Sequence, residues 1–373
     1  MTGHLARARR LLLGLAALLC AATPVAAQDC AQPAPVCAAR DAVFAVSAFD
    51  PVASAVRIGP QRLVTTRHGI ADQEEVILFL ADGSRLPARA IPSDYPGDLL
   101  LLEAEGLPDG PLLEQAAAAP GSALYTVGAD LGRGAIRAYD PGQLRSLPAE
   151  GFPLARLHHG AYSQPGNSGG ALVDAEGRLV GIVASGGEGR FEAIPVAEIA
   201  RLEARSGPDQ RAASAEIGAA VRVCTLLLED LQQAGRRQLE EQEAKAVTTS
   251  CTRSGNRQLY DLAAQTLGRT GRREASIALF ERALDEDPNA LNSRIGLVVT
   301  LSLARRYEDS LPHLRLLMEQ AGEDLQVLRL AIQAGVWGDD RPLAERAFER
   351  LKTLNPQMAP AAKRFLDNPP PKP

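Results

Sequence analysis

The chain has 373 residues, 46% of them hydrophobic and 23% charged, with a formal net charge of −5. That length is enough for two or three domains, each with its own core. An acidic balance argues against a nucleic-acid binder.

Residues 1–27 read as a cleaved secretory signal. Arg7, Arg9 and Arg10 precede the apolar run Leu11 to Ala22, and Val25-Ala26-Ala27 present small residues for cleavage. The run is shorter than the roughly 20 residues that span a bilayer, and Cys20 lacks the small neighbour of a lipidation signal, so no stable membrane anchor is expected after cleavage. Removing the segment leaves 37 basic against 45 acidic residues, a net charge of −8. Four cysteines remain, Cys30, Cys37, Cys224 and Cys251, an even number in a chain sent where disulfides persist. Sequence proximity favours Cys30 with Cys37 and Cys224 with Cys251 among the three possible connectivities. A metal site is the weaker reading, because neither pair has close ligand spacing with histidines, and no cofactor is expected. The bias to Ala, Arg and Leu with few Lys suggests a high-GC bacterial genome, hence a periplasmic or secreted location.

Residues 28–205 are read as the first domain. From Val43 to Ile199 short apolar runs alternate with turn signals: Ala53 to Ile58, Leu63 to Thr66, Val76 to Leu80, Leu99 to Leu102, Ala123 to Val127, Ala171 to Val173 and Leu179 to Val183, separated by pairs such as Gly59-Pro60, Asp82-Gly83 and Glu176-Gly177. Many evenly spaced strands without crossover helices predict an all-β barrel pair or sandwich.

After Pro195 the texture changes. Residues 206–256 form a helical connector with a cysteine pair, since Ala212 to Ala246 is rich in Ala, Leu, Glu, Gln and Arg and contains no Pro. Over 257–358 a 34-residue period appears: Phe280, Leu314 and Phe348 fall in register, as do Ala283, Leu317 and Leu351, the small residues Ser276, Ser310 and Ala344, and the breakers Pro288, Gly322 and Pro356. This all-α region resembles tetratricopeptide repeats, with a degenerate middle repeat that places Arg305 where Gly or Asp is usual. Residues 359–373 form a Pro-rich tail, expected to be disordered from Asp367 onward.

Three residues in the order His68, Asp98, Ser168 carry the chemistry. A serine hydroxyl is a poor nucleophile at neutral pH, so acyl transfer needs an imidazole to take its proton and a buried carboxylate to fix the tautomer. Ser168 sits in Pro165-Gly166-Asn167-Ser168-Gly169-Gly170, where glycines allow the Gly166 and Ser168 amides to converge on a developing oxyanion. The run Arg62 to Arg67 reads as a strand that leaves His68 at its end. Asp98 precedes the strand that would bury it, whereas the competing Asp94 does not.

The nucleophile loop, followed by Ala171-Leu172-Val173-Asp174, resembles that of trypsin-like peptidases, most closely the bacterial HtrA (Deg) family. The His68 and Asp98 segments, Gly177 to Val183 and Phe191 to Val196 extend the similarity over roughly Val43 to Ala200. The resemblance implies a double β-barrel and a serine endopeptidase. It implies catalytic His68, Asp98 and Ser168, an oxyanion hole at Gly166 and Ser168, and a specificity wall of Ala184, Ser185 and Gly186 on a strand that pairs with substrate. Tyr162, six residues before the nucleophile, stands where trypsin has a selective Asp. A floor of Tyr162, with Gly186 and Ala193 on the walls, predicts small or medium apolar side chains and poor cleavage after Arg or Lys. Asn167 replaces the Asp that pairs with a freed amino terminus, so activation by N-terminal cleavage is not expected. The adjacent His158 and His159 point to opposite faces of a strand, flanking the cleft or solvent rather than sharing a metal.

The fold implied is therefore multidomain: a double β-barrel peptidase followed by helical repeats that stand where the family usually carries PDZ modules. Its partners are a protein or peptide substrate and a protein on the repeat groove, with no nucleic acid. The competing function is a non-catalytic binding or scaffold protein on the same fold.

Overall fold

The computed structural model describes residues 30–131, 135–235 and 238–372. The expected signal segment 1–27 and Cys20 lie outside the described residues.

A short helix, α1 (Ala34–Ala38), leads into six strands: β1 (Val43–Ser47), β2 (Ala53–Arg57), β3 (Arg62–Thr65), β4 (Glu75–Phe79), β5 (Arg85–Ile91) and β6 (Leu100–Glu103). They close into an antiparallel barrel in the order β1-β2-β3-β6-β5-β4. A one-turn helix, α2 (Arg67–Ile70), follows β3. The second barrel comprises β7 (Ala123–Ala129), β8 (Ile136–Ala138), β9 (Gly142–Ser146), β10 (Leu157–His159), β11 (Ala171–Val173), β12 (Leu179–Gly187) and β13 (Arg190–Pro195). Six of these close through the pairing of β11 with β7, and β8 adds to the β7 edge. The barrel pair, rather than a sandwich, is thus the observed all-β fold.

Unbroken apolar runs mark strands buried on both faces. Leu100 and Leu102 fill the first barrel with Val46, Leu63 and Leu78, while Leu99 and Leu101 point between the barrels, onto Val127, Ala171 and Ile182. Leu172, Val180 and Val183 fill the second barrel with Leu124 and Leu157.

Beyond α3 (Glu198–Ala204) the chain is helical: α4 (Arg211–Gln233), α5 (Glu241–Arg253), α6 (Arg257–Arg269), α7 (Arg273–Glu286), α8 (Leu291–Leu303), α9 (Tyr307–Gln320), α10 (Leu325–Trp337), α11 (Arg341–Leu354) and α12 (Ala359–Asp367). The helices α6, α8 and α10 begin at 257, 291 and 325, and α7, α9 and α11 at 273, 307 and 341, so both series step by 34 residues. Phe280, Leu314 and Phe348 are all buried, and Ser276, Ser310 and Ala344 are fully enclosed, where small side chains let paired helices approach. The expected tail beginning at 359 is instead helical to Asp367: Phe365 packs edge-on against Trp337 with ring centroids 5.1 Å apart, and Leu366 is buried. Beyond it, the carbonyl of Pro370 accepts from Trp337 Nε1 at 3.2 Å.

Near α2 the helical region docks on the first barrel. The α4 helix packs on the segment after α2 so closely that a Cβ on Gly218 would lie 2.4 Å from the Ala71 carbonyl, and Arg222 pairs with Asp72 at 2.8 Å. A Cys224–Cys251 disulfide joins α4 to α5. Among the described residues no helix is long and apolar enough to cross a membrane.

Candidate active site

His68 stands in α2 rather than at the end of a strand: β3 stops at Thr65, and the chain turns helical at Arg67. Its backbone N–H donates to Asp98 Oδ1 at 2.9 Å, and its Nδ1 meets Asp98 Oδ2 at 2.7 Å. Both Asp98 oxygens are thereby engaged, and the imidazole orientation is fixed relative to its own backbone. The Asp98 side chain is fully buried and that of His68 is 14% exposed. Burial disfavours charge on His68, but the Asp98 carboxylate, the hydrogen bond to it and Asp50 outweigh this and raise its pKa above 6.5. Burial likewise pushes Asp98 up, and the pull of His68 more than reverses it, holding the carboxyl below its usual range. Asp94, the competing acid, instead pairs with Arg205 at the surface at 3.0 Å.

Ser168 comes from the second barrel and lines the same cleft as His68, an opening of about 680 Å³ between the barrels. Its Oγ donates to the Ala184 carbonyl at 3.3 Å, its one hydrogen bond among the described residues. The loop around it is tightly specified. Gly166 has φ +96°, Gly169 has φ +84°, and a Cβ on Gly169 would lie 2.0 Å from the Ser54 carbonyl. Asn167 is buried, with Oδ1 accepting from the Gln164 N–H at 2.8 Å and Nδ2 donating to the Ala129 carbonyl at 2.9 Å. A neutral amide therefore braces the loop by hydrogen bonds. The Gly166 and Ser168 N–H groups make no backbone hydrogen bond among the described residues.

The proposed pocket residues divide. Ala184, Ser185 and Gly186 line the cleft on β12, whose outer edge, among the described residues, has no strand partner past Ile182 on the β11 side. Tyr162 lies at the rim rather than forming a floor: it is 48% exposed, and its ring stands between Tyr139 and Phe191 at 5.9 and 6.2 Å. Ala193 does not reach the cleft, because it faces the second barrel core with Leu157 and Val183. His158 and His159 are buried, not at the cleft or in solvent. His158 Nε2 meets Asp287 Oδ2 at 3.0 Å, and His159, its pKa lowered to about 3 by burial and by His158, lies against Phe191.

Several site residues carry no local sequence signal. Asp50 lines the cleft beside His68, and burial raises its pKa. Arg67 is buried next to the pair, donating to the Ser93 carbonyl at 2.9 Å, and desolvation lowers its pKa to about 10. Ser54 on β2 crosses between barrels: its N–H donates to the Ser168 carbonyl at 2.8 Å and its Oγ to the Gly166 carbonyl at 2.7 Å. Behind Ser185, Glu192 accepts from Ser185 Oγ at 3.0 Å, Arg156 at 3.2 Å and Arg257 of α6 at 2.5 Å. Burial alone would raise the Glu192 pKa, but Arg257, His158 and Arg156 hold it well below the usual carboxylate range.

This architecture carries a trypsin-like peptidase domain. Residues 53–182 match the family model described as a trypsin-like peptidase domain. Among solved structures, the chain is similar to the Rv3671c protease in its inactive form, at 23% identity and TM-score 0.41 over 47% of this chain and 98% of that one. It is also similar to the HtrA-type protease AlgW with a tripeptide, at 27% identity and TM-score 0.41, covering 46% of this chain and 61% of that one. The active form of Rv3671c from M. tuberculosis matches at 23% identity and TM-score 0.39, covering 48% of this chain and 89% of that one. No curated protein matches the chain.

Proposed function

We propose that the chain is a serine endopeptidase that hydrolyses peptide bonds through an acyl-enzyme. In this reading Ser168 attacks the scissile carbonyl, His68 takes its proton and passes it to the leaving amine, Asp98 holds the imidazole in one tautomer, and the Gly166 and Ser168 amides stabilise the oxyanion. The observation that carries it is the Asp98–His68 pair at 2.7 Å, opening onto the cleft that also holds Ser168. The bonded cysteines support an exported, oxidising location such as the periplasm. The 34-residue helical step supports tetratricopeptide-like repeats that bind substrate or a partner protein.

The second reading, a non-catalytic binding protein, draws on one observation: Ser168 Oγ bonds Ala184 rather than His68. Catalytic hydrogen bonds often tighten only with substrate, so the first reading stands ahead. A fluorophosphonate probe separates the two. Label on Ser168 in the wild type and none in Ser168→Ala supports the peptidase. A folded wild type that takes no label and cleaves no member of a mixed peptide library overturns it.

A further inference from the structure

The active-site cleft does not end at the barrels. It runs into a groove of about 440 Å³ between the β12–β13 hairpin and the helical region, and the two share Ser185, Gly186, Gly187, Glu188 and Gln258. One wall is a stripe on α6, Gln258, Leu262, Gln265 and Arg269, and the other a stripe on α8, Asn292, Ile295, Val299 and Leu303. Each follows the spacing of a single helix face. Leu262 and Leu303 are 42% and 47% exposed, so the groove presents apolar side chains to its interior without covering them.

The hairpin is fixed against this groove. Arg190, buried at its tip, donates to Asn292 Oδ1 at 2.9 Å and pairs with Asp324, and Asn292 Nδ2 donates back to the Arg190 carbonyl at 3.1 Å. At the junction Gln258 Oε1 is shut off from solvent and has no hydrogen-bond partner among the described residues.

We infer that the groove binds the acyl-side segment of an extended polypeptide substrate, the residues N-terminal to the scissile bond, through apolar side chains against Leu262, Val299 and Leu303. This rests on the peptidase reading above for its direction. The leaving amine must lie beside His68, so the acyl segment departs the other way, past Ala184. The free edge of β12 then runs from Ala184 beside Ser168 to Gly187 at the groove mouth, and an antiparallel strand added to that edge points its N-terminus into the groove. From Asn292 to Leu303 α8 advances roughly 16 Å at 1.5 Å per residue, the length of about five extended residues. The substrate class is therefore an unfolded or extended chain with apolar residues beginning some four positions before the cut.

The test compares a short cleavable peptide with versions extended by six apolar-rich residues on either side. Extension on the N-terminal side is expected to raise kcat/KM about tenfold or more, and extension on the C-terminal side to leave it within twofold. Leu262→Asp and Leu303→Asp, at exposed positions, should abolish the gain while the short peptide is cleaved as before. A gain that survives both substitutions, or appears only with C-terminal extension, overturns the inference. Binding separates this outcome from failure of the peptidase reading. Fluorescence anisotropy of the labelled N-extended peptide on Ser168→Ala requires no turnover. Affinity lost by at least tenfold in Leu303→Asp supports the groove even if no peptide is cleaved, and unchanged affinity sinks it.

Discussion

Ser54 Oγ donates to the Gly166 carbonyl at 2.7 Å and accepts from the Ala129 N–H at 2.9 Å, although Ser54 belongs to the first barrel and both partners to the second. Pinning that carbonyl fixes the adjoining peptide planes of the loop around Ser168, and with them the direction of the amides proposed to form the oxyanion hole. Ser54→Ala leaves two buried backbone groups unpartnered, at a cost of about 1–3 kcal/mol each. The expected result is a loss of kcat of roughly 10- to 100-fold with KM within twofold, because the oxyanion donors act in the transition state. A purely structural role for Ser54 would lower stability without that split, and steady-state kinetics on the folded variant decide between them.

The rate should depend on pH through His68. In the proposed mechanism the neutral imidazole is the base, and its pKa lies above 6.5 because Asp98 and Asp50 outweigh burial and the repulsion of Arg156. Activity is therefore lost as pH falls through a midpoint above 6.5. In Asp98→Asn the anion is gone, so the midpoint should move down while kcat falls by about 10⁴-fold, as expected when the tautomer is no longer held. The kcat/KM profile reads both, and an acid limb that stays in place in the variant would remove Asp98 from this role.

What the sequence makes legible follows from which forces are local. The run Leu99 to Leu102 announces its strand because it is buried on both faces, and the glycine-rich loop around Ser168 is readable because its turn demands glycines at adjacent positions. The strand β5 is obscured by Arg85, Pro87 and Arg89 in a stretch with one buried residue, Ala88, and β10 is three residues long with two histidines. Their pairing is decided by neighbours far along the chain. Ser54, Asp50 and Gln258 are invisible for the same reason: Ser54 bonds a residue 112 positions away, and Gln258 lines the cleft next to Arg257, which docks on Glu192, 65 positions earlier. The helix at 359–367 is masked by Pro360 and by the prolines that follow it, yet Pro360 lies in the first turn, where the missing N–H is no loss.

Asp261 gives the helical region a pH-dependent stability of its own. Burial raises its pKa to about 7 against the attraction of Arg257, and its Oδ1 accepts from Ser293 Oγ at 2.7 Å. A carboxyl whose folded pKa exceeds its unfolded value contributes fully below the unfolded value, 3.8, and loses that contribution as pH rises through about 7. Asp261→Asn, neutral throughout, should therefore gain on the wild type between pH 5 and pH 8, by on the order of 2–4 kcal/mol. Denaturant unfolding at the two pH values measures it, and a difference that does not change with pH would show that Asp261 is already ionised at pH 5.

The turn inside each helix pair supplies the last prediction. Gly271, Arg305 and Asp339, spaced by 34 residues, all take left-handed backbone, with φ of +87°, +63° and +62°. An L side chain in that region costs about 1–2 kcal/mol, offset in part by the greater freedom glycine has in the unfolded chain. Arg305→Gly should therefore stabilise the protein by about 0.5–1 kcal/mol, and Gly271→Ala at the equivalent turn should destabilise it by about 1 kcal/mol. The opposite signs are the test, because surface effects unrelated to the backbone would not reverse between the two turns. Denaturant midpoints at constant m-value read both. If Arg305→Gly lowers the midpoint, the Arg305 side chain contributes more to the α8–α9 turn than its backbone strain removes.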